Sequence, residues 1–412
     1  MQDSSATWPH GASDPSLAEY RELLATVVGG NIRAIRGWTN KAEEEERFPK
    51  AFIEHLGAEG VFAGKWSQGA RSDVAKLVEL GFAVGSLGSL GSSAGAALQD
   101  SLIAVLKRFG KSERLLDIGD RAVRGESVLC IGASEESGGS DLSRARTMAR
   151  AHDGGYRVTG SKKYVSLAPS ADYVLTLASC PDPAASSSRG NLMLLAIPRD
   201  LVEVMAPYRK VSMGPLETAE VKIGTWVPED LVVARPGAGL AAVVWGLSHE
   251  RLSLAAQVVS FCELVIGVTA ARMAERKQYG RPLFEHQALR LRLADLKAEV
   301  EIFRHALLGF AALGQMRVEF AAMFKARAGR LGESVVSECM HIFGGSGFLV
   351  DETPLGRWWR DVKLIRVAGG ADEIMLEFMA TRMLTPDFEA YRSLVPRAQA
   401  EVGTSPWERG NE

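Results

Sequence analysis

The chain has 412 residues, 46% hydrophobic and 24% charged, with 48 basic against 50 acidic side chains and a formal charge of −2. That balance excludes a disordered or fibrous chain and leaves no general field to draw nucleic acid or an anionic membrane. The length allows two or three structural units around a large core.

No cationic start followed by an apolar run opens the chain, so no secretory signal is expected. No uninterrupted apolar run reaches the roughly 18 residues of a membrane span. From about Leu17 to Val128 apolar residues recur at spacings of three and four, which predicts an N-terminal helical domain over residues 1–128. Its charged run KAEEEER, ending at Arg47, reads as a solvated helix face or loop. The stretch 85-GSLGSLGSSAG-95 has no strand before it and no GK[ST] after it, so it reads as small-residue helix packing or a pocket wall rather than a phosphate loop.

Residues 129–237 change texture to short runs rich in Val, Leu, Ile and Tyr, which predicts a β domain. YRVTG before SKKYVSL reads as a hairpin, and DYVLTLAS, NLMLLAIP, LVEVMA and AEVKIGTWV read as further strands. Helices return over residues 238–412. There Leu289, Leu293, Leu296, Val300, Phe303 and Leu307 form a bundle stripe, and a polar tail follows about Leu384. Strands clustered between two helical regions predict an α+β class rather than an alternating parallel sheet.

The four cysteines, Cys130, Cys180, Cys262 and Cys339, are widely spaced and read as buried thiols of a reducing, cytoplasmic compartment. The seven histidines form no HExxH or His/Cys cluster, so no metal is expected, and no GxSxG elbow is present.

One acid stands out. In 245-WGLSHERLSLAA-256, helical periodicity puts Glu250 on one face with Val243, Leu247, Leu254 and Val258. A carboxylate in an apolar stripe has a partner such as Arg251 or His249, caps or interrupts the helix, or has chemistry to perform.

Five segments combine into a pattern: 130-CIGASEESGGSDLSRARTMA-149, 160-GSKKYVSLA-168, 275-ERKQYGRPLFEHQALRLRLAD-295, 341-HIFGGSGFLVDETPLGRWWRDVKL-364 and 367-VAGGADEIM-375. In order and in texture, from about Leu17 to Leu384, the chain resembles the acyl-CoA dehydrogenase family. The resemblance implies an N-terminal helical domain, a middle β-barrel-like domain and a C-terminal four-helix bundle, with FAD between the last two, in a homodimer or homotetramer. Ile131, Ala133, Ser134, Gly139, Ser140, Tyr164 and Ser166 would then lie against the flavin. Arg276, Gln278 and Tyr279 would reach the neighbouring subunit's cofactor, with His286 and Gln287 nearby, and His341, Gly344, Gly345, Ala371 and Glu373 would line its far end. The chain departs from its relatives in carrying His341 where Gln is usual, Leu167 where Asn is frequent and Ala371 where Thr is usual.

The implied reaction removes a proton from the carbon beside a thioester carbonyl and a hydride from the next carbon, giving a trans-2-enoyl thioester. Many relatives carry the base as a Glu at the position of Gly369. A minority, isovaleryl-CoA dehydrogenase among them, supply it from the first long helix of the bundle, at the position of Glu250. Glu250 is therefore the expected catalytic base, with Ser140, Ser248, Arg251 and Gly370 at the substrate. The substrate would be an acyl-CoA or acyl-carrier-protein thioester, and the electron acceptor an electron-transfer flavoprotein or oxygen. The alternatives on the same scaffold are a flavin monooxygenase or oxidase and a non-catalytic flavin-binding subunit.

Overall fold

The computed structural model describes residues 16–66, 73–180, 191–383 and 386–395. The start of the chain and most of the polar tail expected after Leu384 lie outside them. Among the described residues six α-helices come first: α1 (Leu17–Leu24), α2 (Ile32–Glu45), α3 (Lys50–Ala58), α4 (Val74–Gly85), α5 (Leu90–Phe109) and α6 (Glu113–Val123). Short polar residues mark their starts. Ser16 and Glu19 form a capping box on α1, and Asp73, Ser89 and Ser112 accept first-turn N–H groups of α4, α5 and α6.

The small-residue stretch between α4 and α5 is packing. A Cβ on Gly85 would lie 2.3 Å from the Gln257 carbonyl, and one on Gly95 would lie 2.2 Å from the Phe48 ring. The acidic run at the end of α2 is less uniform than its composition predicts. Glu43 accepts from Ser89 Oγ and pairs with Arg357 at 2.6 Å, so one acid of the run ties this domain to the C-terminal helices.

Eight strands follow, in one mixed sheet: β1 (Leu129–Gly132), β2 (Met148–His152), β3 (Gly155–Ser166), β4 (Tyr173–Ser179), β5 (Leu192–Pro198), β6 (Val202–Val204), β7 (Thr218–Pro228) and β8 (Val232–Ala234). Their order is β6-β7-β3-β2-β4-β5-β8, with β1 parallel to β4. The expected hairpin at Gly160 is absent. β3 runs through it, because Gly160 lets the strand pass Thr147, whose Cα would lie 2.7 Å from a Cβ there. The hairpin turn sits instead at Asp153 and Gly154, both in the left-handed region, joining β2 to β3.

The C-terminal helices are α7 (Gly239–Glu275), α8 (Gln287–Ala311), α9 (Val318–Phe343), α10 (Leu355–Ile365), α11 (Asp372–Met383) and α12 (Phe388–Leu394). A small ribbon of β9 (Lys277–Gln278) and β10 (Arg281–Pro282) joins α7 to α8. Although no uninterrupted apolar run reaches membrane length, α7 as a whole does, with a mean hydropathy of 1.8 over 18 residues. Two-thirds of that stretch is buried within the protein, where α7 packs on α4, α5, α8 and α9. Its apolarity is thus that of a central helix covered on most sides. Cys130, Cys262 and Cys339 are buried thiols, whereas Cys180, expected to be buried as well, is only half-buried just beyond the end of β4.

Candidate active site

The α7 turn carrying Glu250 is pressed against α5, since a Cβ on Gly246 would come within 2.7 Å of Val105. Ser248 and His249 are buried, whereas Glu250 is half-buried. Ser248 donates its hydroxyl to the Val244 carbonyl at 2.7 Å and is committed within its own helix. His249 Nδ1 lies 3.0 Å from the Trp245 carbonyl, which can only accept, so this nitrogen carries the proton. The Glu250 carboxylate has no hydrogen bond and no ion pair among the described residues. Burial pushes it above the usual carboxylate range, while Arg251 and Lys325 pull it the other way.

Gly369, the position where many relatives carry their base, folds back onto this turn. It and Gly370 both adopt positive φ, +67° and +110°. A Cβ on Gly369 would be 3.8 Å from Arg251 Cγ and 4.0 Å from Leu254 Cδ1, so the loop lies over the residues beside Glu250. Arg251 Nε donates to the Gly369 carbonyl at 2.7 Å, and Lys325 Nζ donates to the Gly370 carbonyl. Two cations from two helices thus hold consecutive carbonyls of the Gly-Gly turn. Burial brings Arg251 down to about 10 and Lys325 down to about 8, with nearby acids opposing both shifts. Lys325 is not among the residues expected from the sequence. Its signal was available, because in AAMFKARAG it shares a helix face with the buried Ala321, Ala328 and Gly332, the same pattern that exposed Glu250.

The β-domain residues expected at the flavin are assembled around a buried ion pair. Lys162 Nζ meets Glu135 Oε1 at 2.6 Å, and Glu135 also accepts from the Arg146 and Thr147 N–H groups at 2.6 and 2.9 Å. These contacts fix the loop bearing Ser134, Gly139 and Ser140 between β1 and β2. Gly139 packs on Ser134, whose Oγ would be 2.8 Å from a Cβ there, and Ser140 is exposed. Ile131 and Ala133 lie on and just beyond β1, both half-buried. On β3, Tyr164 is 66% exposed with φ +57° and packs its ring 5.7 Å from that of Tyr208, while Ser166 is half-buried. Leu167, the departure from Asn, is fully buried at φ +64° and donates its N–H to the Glu217 carbonyl at 2.6 Å. Asn tolerates that backbone region better than Leu, so conformation accounts for the residue common in relatives as well as any polar contact does.

The remaining predicted residues do not gather in one place: one group surrounds the ribbon between α7 and α8, another follows the end of α9, and Ala371 and Glu373 adjoin Gly370. Tyr279 and Gly280, both at positive φ, make the two-residue turn of the β9–β10 ribbon and project the Tyr279 ring, which is 95% exposed. Arg276 and Gln278 are exposed beside it, and His286 Nε2 lies 3.1 Å from the Gln278 carbonyl just before Gln287 opens α8. His341 is exposed on the last turn of α9, and Gly344 and Gly345 follow with open space beside both. Arg272, absent from the sequence expectation, donates to Ser346 Oγ at 3.1 Å and packs on the Phe343 ring, with its Nε buried and unpartnered. Ala371 is half-buried and Glu373 exposed at the start of α11. No hydrogen bond or ion pair among the described residues joins this set to Ser134, Tyr164 or Ser166.

The donor set fits a flavin dinucleotide. An exposed aromatic face at Tyr164 suits a planar ring, the buried and unpartnered Tyr208 hydroxyl lies beside it, and open glycines with uncommitted guanidinium donors suit phosphates. Residues 130–225 match the acyl-CoA dehydrogenase middle domain and residues 237–384 the acyl-CoA dehydrogenase C-terminal domain. Acyl-[acyl-carrier-protein] dehydrogenase MbtN of Mycobacterium bovis is 54% identical over 384 residues, 93% of this chain and 98% of that one. Butyryl-CoA dehydrogenase from Megasphaera elsdenii superimposes with a TM-score of 0.80 at 21% identity, over 90% of this chain and 98% of that one. A glutaryl-CoA dehydrogenase from Mycobacterium smegmatis, in complex with FADH2, gives 0.76 at 19% identity, over 90% and 94%. The chain belongs to the acyl-CoA dehydrogenase family and is an FAD-dependent oxidoreductase.

Proposed function

We propose that this protein dehydrogenates an acyl thioester borne on an acyl carrier protein, giving the trans-2-enoyl thioester, with Glu250 as the base. The observation that carries the reading is the lone carboxylate of Glu250, half-buried and unpartnered, beside a Gly369–Gly370 turn that offers no carboxylate of its own. A base for a weak carbon acid must be ionised yet poorly solvated, and burial with two flanking cations suits that need. FAD supplies the hydride acceptor. Ser134, Ser140, Tyr164 and Ser166 would hold its ring, and Glu250 takes the α-proton on its carboxylate oxygen. Arg251 positions the facing turn, and the helices packed around α7 limit the water that reaches the carboxylate. The carrier-bound substrate rests on the name of the relatives at 54% identity, since a phosphopantetheine arm is common to the carrier protein and coenzyme A.

The exposed Arg276, Gln278 and Tyr279 fit a homodimer in which one subunit completes its partner's cofactor site. The acceptor for the flavin's electrons is an electron-transfer flavoprotein in this reading, and free buried thiols accord with the cytoplasm. Anaerobic bleaching of the yellow protein tests the function. Acyl-carrier-protein thioesters bleach it faster than the matched coenzyme A thioesters, and Glu250→Gln keeps the yellow colour but is not bleached. A Glu250→Gln protein bleached at the native rate overturns the assignment.

A further inference from the structure

We infer that Lys325 is a positioning residue of this site: its ammonium holds the Gly369–Gly370 turn beside Glu250 and adds to that of Arg251 a buried positive charge that favours the ionised Glu250 carboxylate. The inference rests on the reading of Glu250 as the base.

Lys325 is fully buried in the middle of α9, where an unopposed ammonium is costly. Its hydrogen bond goes to a neutral acceptor, the Gly370 carbonyl. The nearest acid, Asp372, stands 3.9 Å away and is engaged elsewhere, because its Oδ2 receives Arg366 Nε at 2.8 Å and lies 3.4 Å from Arg330 Nε. The oxygen of Asp372 that faces Lys325 makes no hydrogen bond. Arg366 is in turn shared with Glu333 at 2.7 Å. Three cations therefore converge on Asp372, and Lys325, at the longest distance, is the one least neutralised.

The charged groups around Lys325 and its Asp372 come from several elements: α7 contributes Arg251 and Glu250, α9 contributes Arg330, the residue after α10 is Arg366, and α11 contributes Asp372 and the exposed Glu373. Arg251 and Lys325 each donate to a carbonyl, and neither is hydrogen-bonded to Glu250, so both act on the carboxylate through space. Gly370 completes the device. Its φ of +110° is a backbone conformation that a side-chain-bearing residue rarely adopts, and a Cβ there would also crowd Arg251 Nη2 at 3.3 Å, so glycine lets the turn present its carbonyl to Lys325 beside Arg251. Arg251 sits beside Glu250 in sequence, whereas Lys325 arrives from another helix and couples α9 to the base.

The test is the pH dependence of anaerobic flavin reduction by an acyl thioester in flavin-loaded protein. Removing the cation in Lys325→Met raises the pH at which Glu250 ionises, so the acid limb moves up by about one pH unit or more. Below the limb that is about a tenfold loss of rate. Lys325→Arg keeps the charge and holds the limb near its native position. Asp372→Asn, of nearly the same shape, removes a competing anion and moves the limb down. A flavin-loaded Lys325→Met protein with an unmoved limb overturns the inference. If Lys325→Met does not retain flavin, an Asp372→Asn limb that stays put or rises overturns it equally. Glu250→Gln run alongside separates the two ideas: substrate bleaching there refutes Glu250 as the base, whereas an inert Glu250→Gln with an unmoved Lys325→Met limb refutes Lys325 alone.

Discussion

Arg251 on α7 donates its Nε to the carbonyl of Gly369, 118 residues further along the chain, at 2.7 Å. The residue after the proposed base therefore holds in place the very position from which many relatives supply theirs. Two solutions to one chemical need meet at this bond.

The bond predicts a specific failure. Arg251→Lys keeps the charge but loses the planar fork and the Nε donor, so it is not a conservative change here. The Gly369–Gly370 turn then loses one of its two carbonyl anchors, while the β-domain residues proposed to hold the flavin are untouched. Displacement of a reacting geometry by about 1 Å costs about a hundredfold in rate. Arg251→Lys is expected to keep its flavin spectrum and lose between ten- and a hundredfold in the rate of substrate bleaching. A variant with the native bleaching rate removes Arg251 from the positioning of the turn.

The acid of this candidate site is legible in the sequence, and the reason lies in helix periodicity. Glu250 violates an apolar face, and a violation that survives in a central helix marks either a pair or a function. Lys325 violates its face in the same way, but it lies outside every motif-bearing segment, so only its burial in α9 marks it. The bonds from Arg251 and Lys325 to Gly369 and Gly370 span 118 and 45 residues, and no local pattern announces them. The Gly160 hairpin failed for a related reason. A glycine in a run of β-formers marks either a turn or a close backbone approach, and only the neighbouring strand, through Thr147, decides which.

The Glu135–Lys162 pair carries the loop that bears Ser134 and Ser140, and its loss is predicted to be felt as stability and flavin retention together. Burial pushes Glu135 up, but Lys162 and the two backbone donors outweigh burial and leave it below the usual carboxylate range. Its stabilisation is thus present above the ordinary carboxylate pKa and is lost as pH falls through the depressed one. Lys162→Met strands the Glu135 charge against its neighbours and should destabilise the protein by about 3–5 kcal/mol. Adding Glu135→Gln to Lys162→Met relieves the stranded charge and recovers part of that loss. Thermal unfolding with flavin fluorescence as the probe reads both effects. An additive double variant, with no recovery, refutes the coupling.

His249 sets the acid side of stability. Burial, reinforced by the nearby Lys65 and Arg108, holds its imidazole down to about 3, and its buried Nε2 is left without a partner. The unfolded chain binds a proton there near pH 6.5 and the folded protein does not, so the unfolded state gains protons first as pH falls. Stability from this group is complete above pH 6.5 and declines as pH drops toward 3. Between pH 7 and pH 5 the decline amounts to about 2 kcal/mol. His249→Asn keeps a donor near the Nδ1 position, toward the Trp245 carbonyl, but cannot titrate, so its stability should fall by about 2 kcal/mol less over the same interval. Urea unfolding of both proteins at the two pH values measures the difference, with all other titrating groups common to the pair. Equal losses would mean that His249 takes up its proton in the folded protein as readily as in the unfolded chain, and the buried neutral imidazole would have to be abandoned.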